Sequence, residues 1–382
     1  MLENLIKFIR ELYGTKDFIP LHEPQFNGKE KQYLLETIDS TFVSSVGSFV
    51  DKFEEEVARY TEAKYAIATV NGTAALHTAL KLAGVGLGDE VITQPLTFIA
   101  TCNAIRYCGA SPVFVDVDLE TMSLSPESLE MFLREHCEVR DDGICWNNTS
   151  NHPIRACIPM HTFGFPAKLD ELNNICKHFN ITVVEDAAES LGSLYKGKHT
   201  GILGKVSALS FNGNKIITTG GGGMILTNDE EIAVRAKHIT TTAKTSHRWL
   251  YGHDETGFNY RLPNLNAALG VAQIESLPKI IEKKRALAKS YQEWGNANGV
   301  KFVQEQVGTK ANYWLNTVIT ENLAQRDAML EKTNNSQVMT RPAWTPMHQL
   351  PMNQQSQTGE LRNTQWLFER LVNVPSSVKL NG

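Results

Sequence analysis

Residues 181–190 read ITVVEDAAES, an apolar run that ends in two adjacent carboxylates. A short apolar run without polar alternation is typical of a strand that is buried on both faces of a sheet. Similar runs occur on either side of it, and longer helical patterns such as 74–83 and 169–178 separate them. The predicted strands are 65–70, 90–94, 112–117, 156–160, 181–185 and 206–211. Strands that alternate with helices predict an α/β fold with a mostly parallel, doubly wound sheet.

The composition excludes several classes of protein. The 382 residues are 42% hydrophobic and 21% charged, as in an ordinary globular chain, which excludes disorder. The net charge is -5 and the Lys and Arg residues are scattered, so we expect no nucleic-acid partner. No run reaches the roughly 18 apolar residues of a membrane helix. Residues 1–14 are amphipathic and charged, unlike a secretory leader, so we expect a cytoplasmic protein without a membrane partner.

The six cysteines suggest no special chemistry. None of them has the CxxC spacing of a zinc or redox site, so we expect no metal and a role as small buried residues.

The pattern along the chain predicts three parts. Residues 1–30 would form an N-terminal helix and arm, 31–275 a large sheet domain, and 276–382 a smaller C-terminal α+β domain. A helical stretch at 265–284, rich in Ala, Leu and Ile, would link the two domains.

Three segments carry residues suited to chemistry. The first is NGTAAL at 71–76, where a predicted strand ends and a helix starts at Thr73. Free backbone N–H groups at a helix start can hold a phosphate, because the helix dipole favours an anion there. The same letters also describe an ordinary turn with an N-cap, so both interpretations stay open.

The second and third segments supply a carboxylate and an amine. Asp186 ends a fully apolar strand, where it could keep a ring nitrogen protonated or serve a structural role. Lys215 follows another buried strand and precedes four glycines at 220–223. A desolvated lysine can act as an amine nucleophile, although Lys215 could also be a phosphate-binding cation. The glycines do not form a nucleotide-binding loop, since no glycine-rich segment ends in Gly-Lys-Ser/Thr.

One ligand, pyridoxal 5′-phosphate, would use a phosphate site, an aspartate and a lysine together. The order of NGTAAL, TFIAT at 97–101, EDAA at 185–188 and SFNGNK at 210–215 resembles the DegT-type sugar-nucleotide aminotransferases. GFNYRL at 257–262 and AALG at 267–270 extend the resemblance, which covers about residues 18–350. It implies a fold-type I pyridoxal phosphate enzyme, with the cofactor in the large domain.

The resemblance also implies roles for single residues. Lys215 would bind the cofactor covalently and later carry a proton, and Asp186 would pair with the pyridinium nitrogen. Phe98 would stack on the ring, unless it is a core aromatic residue. The cofactor phosphate would be held by Gly72, Thr73 and Ser210.

Two further roles concern the surroundings of the cofactor. Asn259 would reach the cofactor phosphate of a neighbouring subunit, which implies a homodimer with shared active sites. His161 would lie near the cofactor or be a satisfied core histidine. Glu189 stands where many family members carry Gln, and its role is left open.

The resemblance also indicates a substrate. FIPLHEP at 18–24, VSSVG at 43–47 and the block 211–223 resemble enzymes of the legionaminic acid and bacillosamine pathways. This implies amination of a UDP-linked 4-keto-6-deoxy-N-acetylhexosamine to UDP-2-acetamido-4-amino-2,4,6-trideoxyglucose, with L-glutamate as donor. The alternatives are a GDP-4-keto-6-deoxymannose aminotransferase of the perosamine type and a non-enzymatic regulator that binds the cofactor.

Three residues are candidates for contact with the sugar nucleotide. His22, Ser44 and Arg341 lie in segments expected to line the open side of the cleft. Arg341 could meet a diphosphate or be an ordinary surface charge. No role is assigned to His348.

Overall fold

A computed structural model describes residues 2–380. The main sheet has nine strands, and all six predicted strands belong to it. These nine strands are β1 (Tyr65–Thr69), β2 (Glu90–Thr93), β3 (Ser111–Phe114), β4 (Cys137–Val139), β5 (Cys145–Asn147), β6 (His152–Ile158), β7 (Thr182–Asp186), β10 (Val206–Ser210) and β11 (Gly223–Thr227). Seven of them lie in the order β1-β11-β10-β7-β6-β2-β3, and β5 and β4 extend from β6. Neighbouring strands from β10 to β3 in that order are parallel, which confirms the predicted fold class.

The remaining strands form three smaller sheets. Four of them make an antiparallel sheet near the C-terminus: β14 (Lys301–Phe302), β16 (Asn316–Ile319), β17 (Arg341–Pro342) and β18 (Leu371–Val374). The others are β8 (Leu194–Tyr195), β9 (Lys198–His199) and β15 (Thr309–Lys310) in one sheet, and β12 (Lys244–Thr245) with β13 (Gly252–His253) in another.

The helices within residues 2–380 are α1 (Leu2–Tyr13), α2 (Glu30–Asp39), α3 (Ser48–Thr61), α4 (Gly72–Leu82), α5 (Ile99–Tyr107), α6 (Pro126–His136), α7 (Leu169–His178), α8 (Glu230–Thr240), α9 (Asn264–Asn298), α10 (Leu323–Asn335) and α11 (Arg362–Phe368). In the part of the chain that the structure describes, none is both long and apolar enough to cross a bilayer.

Both faces of the main sheet are covered by helices. Along β11, Ile225 packs with α4, α5 and α8, whereas its neighbours Met224 and Leu226 pack in a separate cluster with α3 and α9. Successive side chains of a strand point to opposite faces, so these two clusters lie on opposite sides of the sheet. This arrangement explains why the strands have no polar alternation.

Strand β11 was not predicted. It begins at Gly223, at the end of the four-glycine run, and lies antiparallel between β1 and β10. Glycine has a low strand propensity, which conceals the start of the strand in the sequence. The structure explains Gly223, because a Cβ atom there would lie 2.4 Å from the backbone oxygen of Asn71. The glycine therefore allows β11 to approach the turn at Asn71.

Helix α9 is longer than predicted. It starts at Asn264, one residue before the predicted start at 265, continues past Lys284 to Asn298, and includes Pro278. It ends at Gly299, whose φ of 69° is a common helix stop. Because this helix runs through residue 276, the predicted boundary between the large and small domains stays a prediction.

The N-terminal helix packs on the C-terminal part of the chain. Leu5, Ile6 and Ile9 of α1 are buried in a cluster with Tyr291 and Phe302. The following arm continues this contact, since Ile19 and Val338 form a β-bridge. All six cysteines are buried and unpaired, as predicted.

Candidate active site

A cavity of about 320 Å³ opens at the carboxyl ends of β1, β7 and β10. In open α/β sheets this is the edge at which ligands bind. Six of the predicted site residues line this cavity: Gly72, Thr73, Phe98, Asp186, Ser210 and Lys215. The structure therefore brings together the three segments that were chosen separately from the sequence.

The turn before α4 forms an N-cap and leaves two backbone amides without an acceptor. Asn71 caps the helix by accepting a hydrogen bond from the Ala74 amide at 2.8 Å. The amides of Gly72 and Thr73 have no protein acceptor among residues 2–380. A Cβ atom on Gly72 would lie 2.8 Å from Cβ of Ser210, so glycine is required where the helix start meets β10. The free amides and the nearby hydroxyl suit a phosphate.

Asp186 is held by short polar contacts at the end of β7. Its Oδ2 accepts a hydrogen bond from the Thr101 hydroxyl at 2.7 Å, and its Oδ1 accepts one from the Ala188 amide at 3.2 Å. Burial raises the pKa of Asp186, and these two hydrogen bonds and the charge of Lys215 oppose that rise. A buried carboxylate of this kind is well suited to a cationic ring nitrogen, which would remove the cost of its burial.

The neighbouring carboxylate, Glu185, does not face the cavity. Glu185 points to the opposite face of the sheet, where it accepts hydrogen bonds from the amides of Gly201 and Leu203 at 2.6 and 2.7 Å. His161 Nε2 lies 3.0 Å from Glu185 Oε2, and His161 Nδ1 accepts a hydrogen bond from the Ala167 amide. The shared hydrogen therefore belongs to Nε2. Burial alone would raise the pKa of Glu185, but His161 and the amides hold it below its usual range.

Lys215 reaches the cavity from the loop that follows β10. Its side chain is only 12% exposed, and Nζ lies 3.2 Å from Oε1 of Glu189. Nζ also lies 4.3 Å from the centre of the Trp314 ring. Trp314 in turn donates from Nε1 to the backbone oxygen of Asn214 at 2.7 Å, which holds the loop beside the lysine.

Phe98 completes the open side of the cavity. It precedes α5 and is 50% exposed, so it is not a core aromatic residue. Its ring is available to a planar ligand, whereas a core role would have buried it. The residues together fit pyridoxal phosphate: amides for the phosphate, a carboxylate for the ring nitrogen, and an amine for the aldehyde.

Other predicted residues do not line this cavity. The ring of His161 is fully buried, with both nitrogens engaged as described. Asn259 is exposed and accepts hydrogen bonds from Arg261. Ser44 and Arg341 are exposed and lie outside the cavity lining. Their proposed contacts with cofactor or substrate stay predictions.

His22 and His348 each have a buried Nδ1 atom without a hydrogen-bond partner among residues 2–380. His22 lies in the arm, between Leu21, whose oxygen accepts from the Ser376 amide, and Glu23, whose amide donates to Ser377. Burial lowers the pKa of His22 well below its usual range. His348 lies near Phe114, and burial lowers its pKa as well.

The sequence analysis missed the two tryptophans of the site. Trp314 and Trp344 both line the cavity, although they come from the C-terminal part of the chain. Neither belongs to a local motif, so only the fold could have revealed them. Glu189 was noticed in the sequence, but its contact with Lys215 was not expected.

A lysine, a buried carboxylate and free helix-start amides around one cavity at this edge of a parallel sheet define a fold-type I pyridoxal phosphate-dependent enzyme. Comparison with known proteins gives the family. Residues 24–382 match the model of the DegT/DnrJ/EryC1/StrS aminotransferase family, and the chain belongs to this family.

Similar proteins support this family assignment. The chain is 38% identical over 336 residues to a GDP-perosamine synthase of Escherichia coli O157:H7, which covers 88% of this chain and 87% of that protein. It is also 38% identical to the putative pyridoxal phosphate-dependent aminotransferase EpsN of Bacillus subtilis, over 87% of this chain and 83% of that one. The crystal structure of the aminotransferase TlmJ from Streptoalloteichus hindustanus superimposes with a TM-score of 0.84 at 25% identity, covering 94% and 93% of the two chains.

Proposed function

We propose that this enzyme transfers an amino group from L-glutamate to C4 of a nucleotide-linked 4-keto-6-deoxyhexose. The observation that carries the proposal is the placement of Lys215 and Asp186 in one cavity with the free amides before α4. The intact lysine and aspartate support transamination over a role as a regulator.

We assign a separate role to each residue of the site. Bound pyridoxal phosphate supplies an electron sink that stabilises negative charge at the carbon next to the reacting nitrogen. The amides of Gly72 and Thr73 would hold its phosphate, and Asp186 would keep its ring nitrogen positive. Lys215, once its amine is free, would carry the proton to and from the substrate carbon. Trp314 and Trp344 would keep water away from that amine.

For the sugar nucleotide we propose the UDP-linked 4-keto-6-deoxy-N-acetylhexosamine. The support is the resemblance of the arm and of the lysine block to legionaminic acid and bacillosamine enzymes, and the arm holds His22. Residues 1–23 lie outside the matched family model.

A GDP-linked 4-keto-6-deoxymannose is the second candidate substrate. It is favoured by the names of relatives, because the chain is 38% and 36% identical to the GDP-perosamine synthases of Escherichia coli and Caulobacter vibrioides. The choice of nucleotide depends on the side chains of the site rather than on the fold.

A visible absorbance spectrum of the purified enzyme separates these possibilities. Glutamate should bleach the band of the lysine-bound cofactor, and the accepted keto sugar should restore it. Both sugar nucleotides are then tested side by side. Recovery with the UDP-linked sugar alone supports the first candidate, and recovery with the GDP-linked sugar alone replaces it by the second. A band that glutamate never bleaches contradicts the proposed donor.

A further inference from the structure

Glu189 is a buried acid whose purpose the proposed function does not explain. Its side chain is 2% exposed and each carboxylate oxygen has one protein contact. Oε1 lies 3.2 Å from Nζ of Lys215, and Oε2 accepts a hydrogen bond from the Phe163 amide at 2.9 Å. The acid is therefore held directly beside the amine that must react.

The surrounding backbone is built to hold this acid in place. Phe163 has a φ of 55°, a left-handed conformation that is costly for a bulky buried residue. This conformation accompanies the contact of its amide with Glu189. The next residue, Gly164, lies against Asn312, where a Cβ atom would be 1.9 Å from Oδ1. Asn312 donates from Nδ2 to the backbone oxygen of Glu189 at 2.8 Å, so both ends of the residue are fixed.

The geometry points to Glu189 as the catalytic group that takes the proton from Lys215 when the lysine acts as a nucleophile. The N–H bond at Nζ breaks and an O–H bond forms at Oε1. A buried ion pair becomes a neutral amine beside a neutral acid, and no further reactant is needed. The inference rests on the proposed function, because it takes Lys215 to be the residue that captures the aldehyde of the cofactor.

The environment favours this transfer. A buried ion pair loses the hydration of both charges, so the neutral pair is closer in energy there than in water. Burial raises the pKa of Glu189, and the charge of Asp186 adds to the rise, while Lys215 and the Phe163 amide oppose it. Two further ionisable groups lie near the pair, His161, which acts on Asp186, and His22 in the arm, which is influenced by Lys215.

The pH dependence of cofactor capture tests the inference. The full chain, freed of cofactor, is mixed rapidly with pyridoxal phosphate, and the rise of the visible band gives the rate at each pH. With Glu189 as acceptor, moving the proton within the pair does not depend on the proton concentration of the solvent. In E189Q the proton must leave to bulk water, so the ratio of the E189Q rate to the wild-type rate should rise about tenfold per pH unit.

Two variants accompany this measurement. E189D keeps a carboxylate and should keep the wild-type pH profile, and a merely structural role would not predict that E189D and E189Q differ in pH dependence. E90Q is the matched control, because Glu90 is also buried and hydrogen-bonded, to Asn147 Nδ2 at 2.7 Å, but starts β2 far along the sheet. It should capture cofactor as the wild type does.

The outcomes are distinct. A ratio of E189Q to wild-type rates that does not change with pH overturns the role of Glu189 and leaves the proposed function intact. A wild-type chain that never forms the visible band contradicts the proposed function itself.

Discussion

The Nζ atom of Lys215 lies 4.3 Å from the centre of the Trp314 indole ring, and the same ring is hydrogen-bonded to the backbone of Asn214. Trp314 comes from a segment about a hundred residues downstream of the lysine loop. It therefore connects the C-terminal part of the chain to the reacting amine. An ammonium over an indole face is stabilised by the ring, and the ring also excludes water from it.

Removal of this ring should slow the reaction. We expect W314A to lower kcat by roughly ten- to a hundredfold, since an error of about 1 Å in the position of a reacting group can cost that much. W314F keeps a ring but loses the hydrogen bond to Asn214, so its loss should be smaller. Steady-state kinetics with glutamate and the accepted sugar measure both variants.

The matched control is W366A, because Trp366 lies on α11 and is 37% exposed. Its kcat should equal that of the wild type. If W314A retained full kcat, the indole would have no part in positioning the lysine.

The elements that a local sequence pattern specifies were predicted correctly. Buried strands such as β7 and β10 were found because a strand covered on both faces needs an apolar run, and their ends correctly located Asp186 and Lys215. Helix α7 was predicted to the residue, at Leu169–His178.

The features that were not predicted depend on contacts between segments that are distant in the sequence. The glycine run was expected to allow a close approach of the backbone, but not that a strand, β11, begins at Gly223 beside Asn71. The continuation of α9 beyond Lys284 buries Ala288 and Tyr291. The contacts of Lys215 with Glu189 and Trp314 join segments that are far apart in the chain, so no spacing rule reveals them.

The N-terminal helix should stabilise the C-terminal part of the chain. Leu5 is 1% exposed in the cluster with Tyr291 and Phe302, so L5A should lower the free energy of unfolding by about 2–5 kcal/mol. Urea unfolding measures the change. L12A is the matched control, because Leu12 is 36% exposed and its loss should cost at most about 0.5 kcal/mol. Equal midpoints for L5A and wild type would show that α1 unfolds independently of this cluster.

We expect the buried charge of Asp186 to support catalysis and to lower the stability of the cofactor-free protein. Burial raises its folded pKa above the unfolded value, so the native state binds this proton more readily than the unfolded chain does. The charged form therefore destabilises the cofactor-free protein above that pKa, and the cost disappears as the pH falls through it. We expect cofactor-free D186N to unfold at higher urea than the wild type at about pH 8, where free aspartate is fully ionised.

The same variant should lose most of its transamination rate, because a neutral side chain does not hold the ring nitrogen positive. Urea midpoints of the cofactor-free proteins at several pH values should converge as the solution is acidified. A D186N protein that was less stable than the wild type at every pH would mean that the contacts with Thr101 and Ala188 need the charge.

Mixed dimers can test whether Asn259 serves a neighbouring subunit. Asn259 is exposed and does not line the cavity of its own chain, so a role in catalysis requires a second copy. K215A and N259A should each be nearly inactive alone. In a dimer with one K215A chain and one N259A chain, one active site contains both substitutions and the other contains neither. About half of the active sites in such mixed dimers should therefore be active. Activity is measured after the two variants are mixed, dissociated and reassociated. If Asn259 acted within its own chain, each site would carry one substitution and mixing would restore nothing.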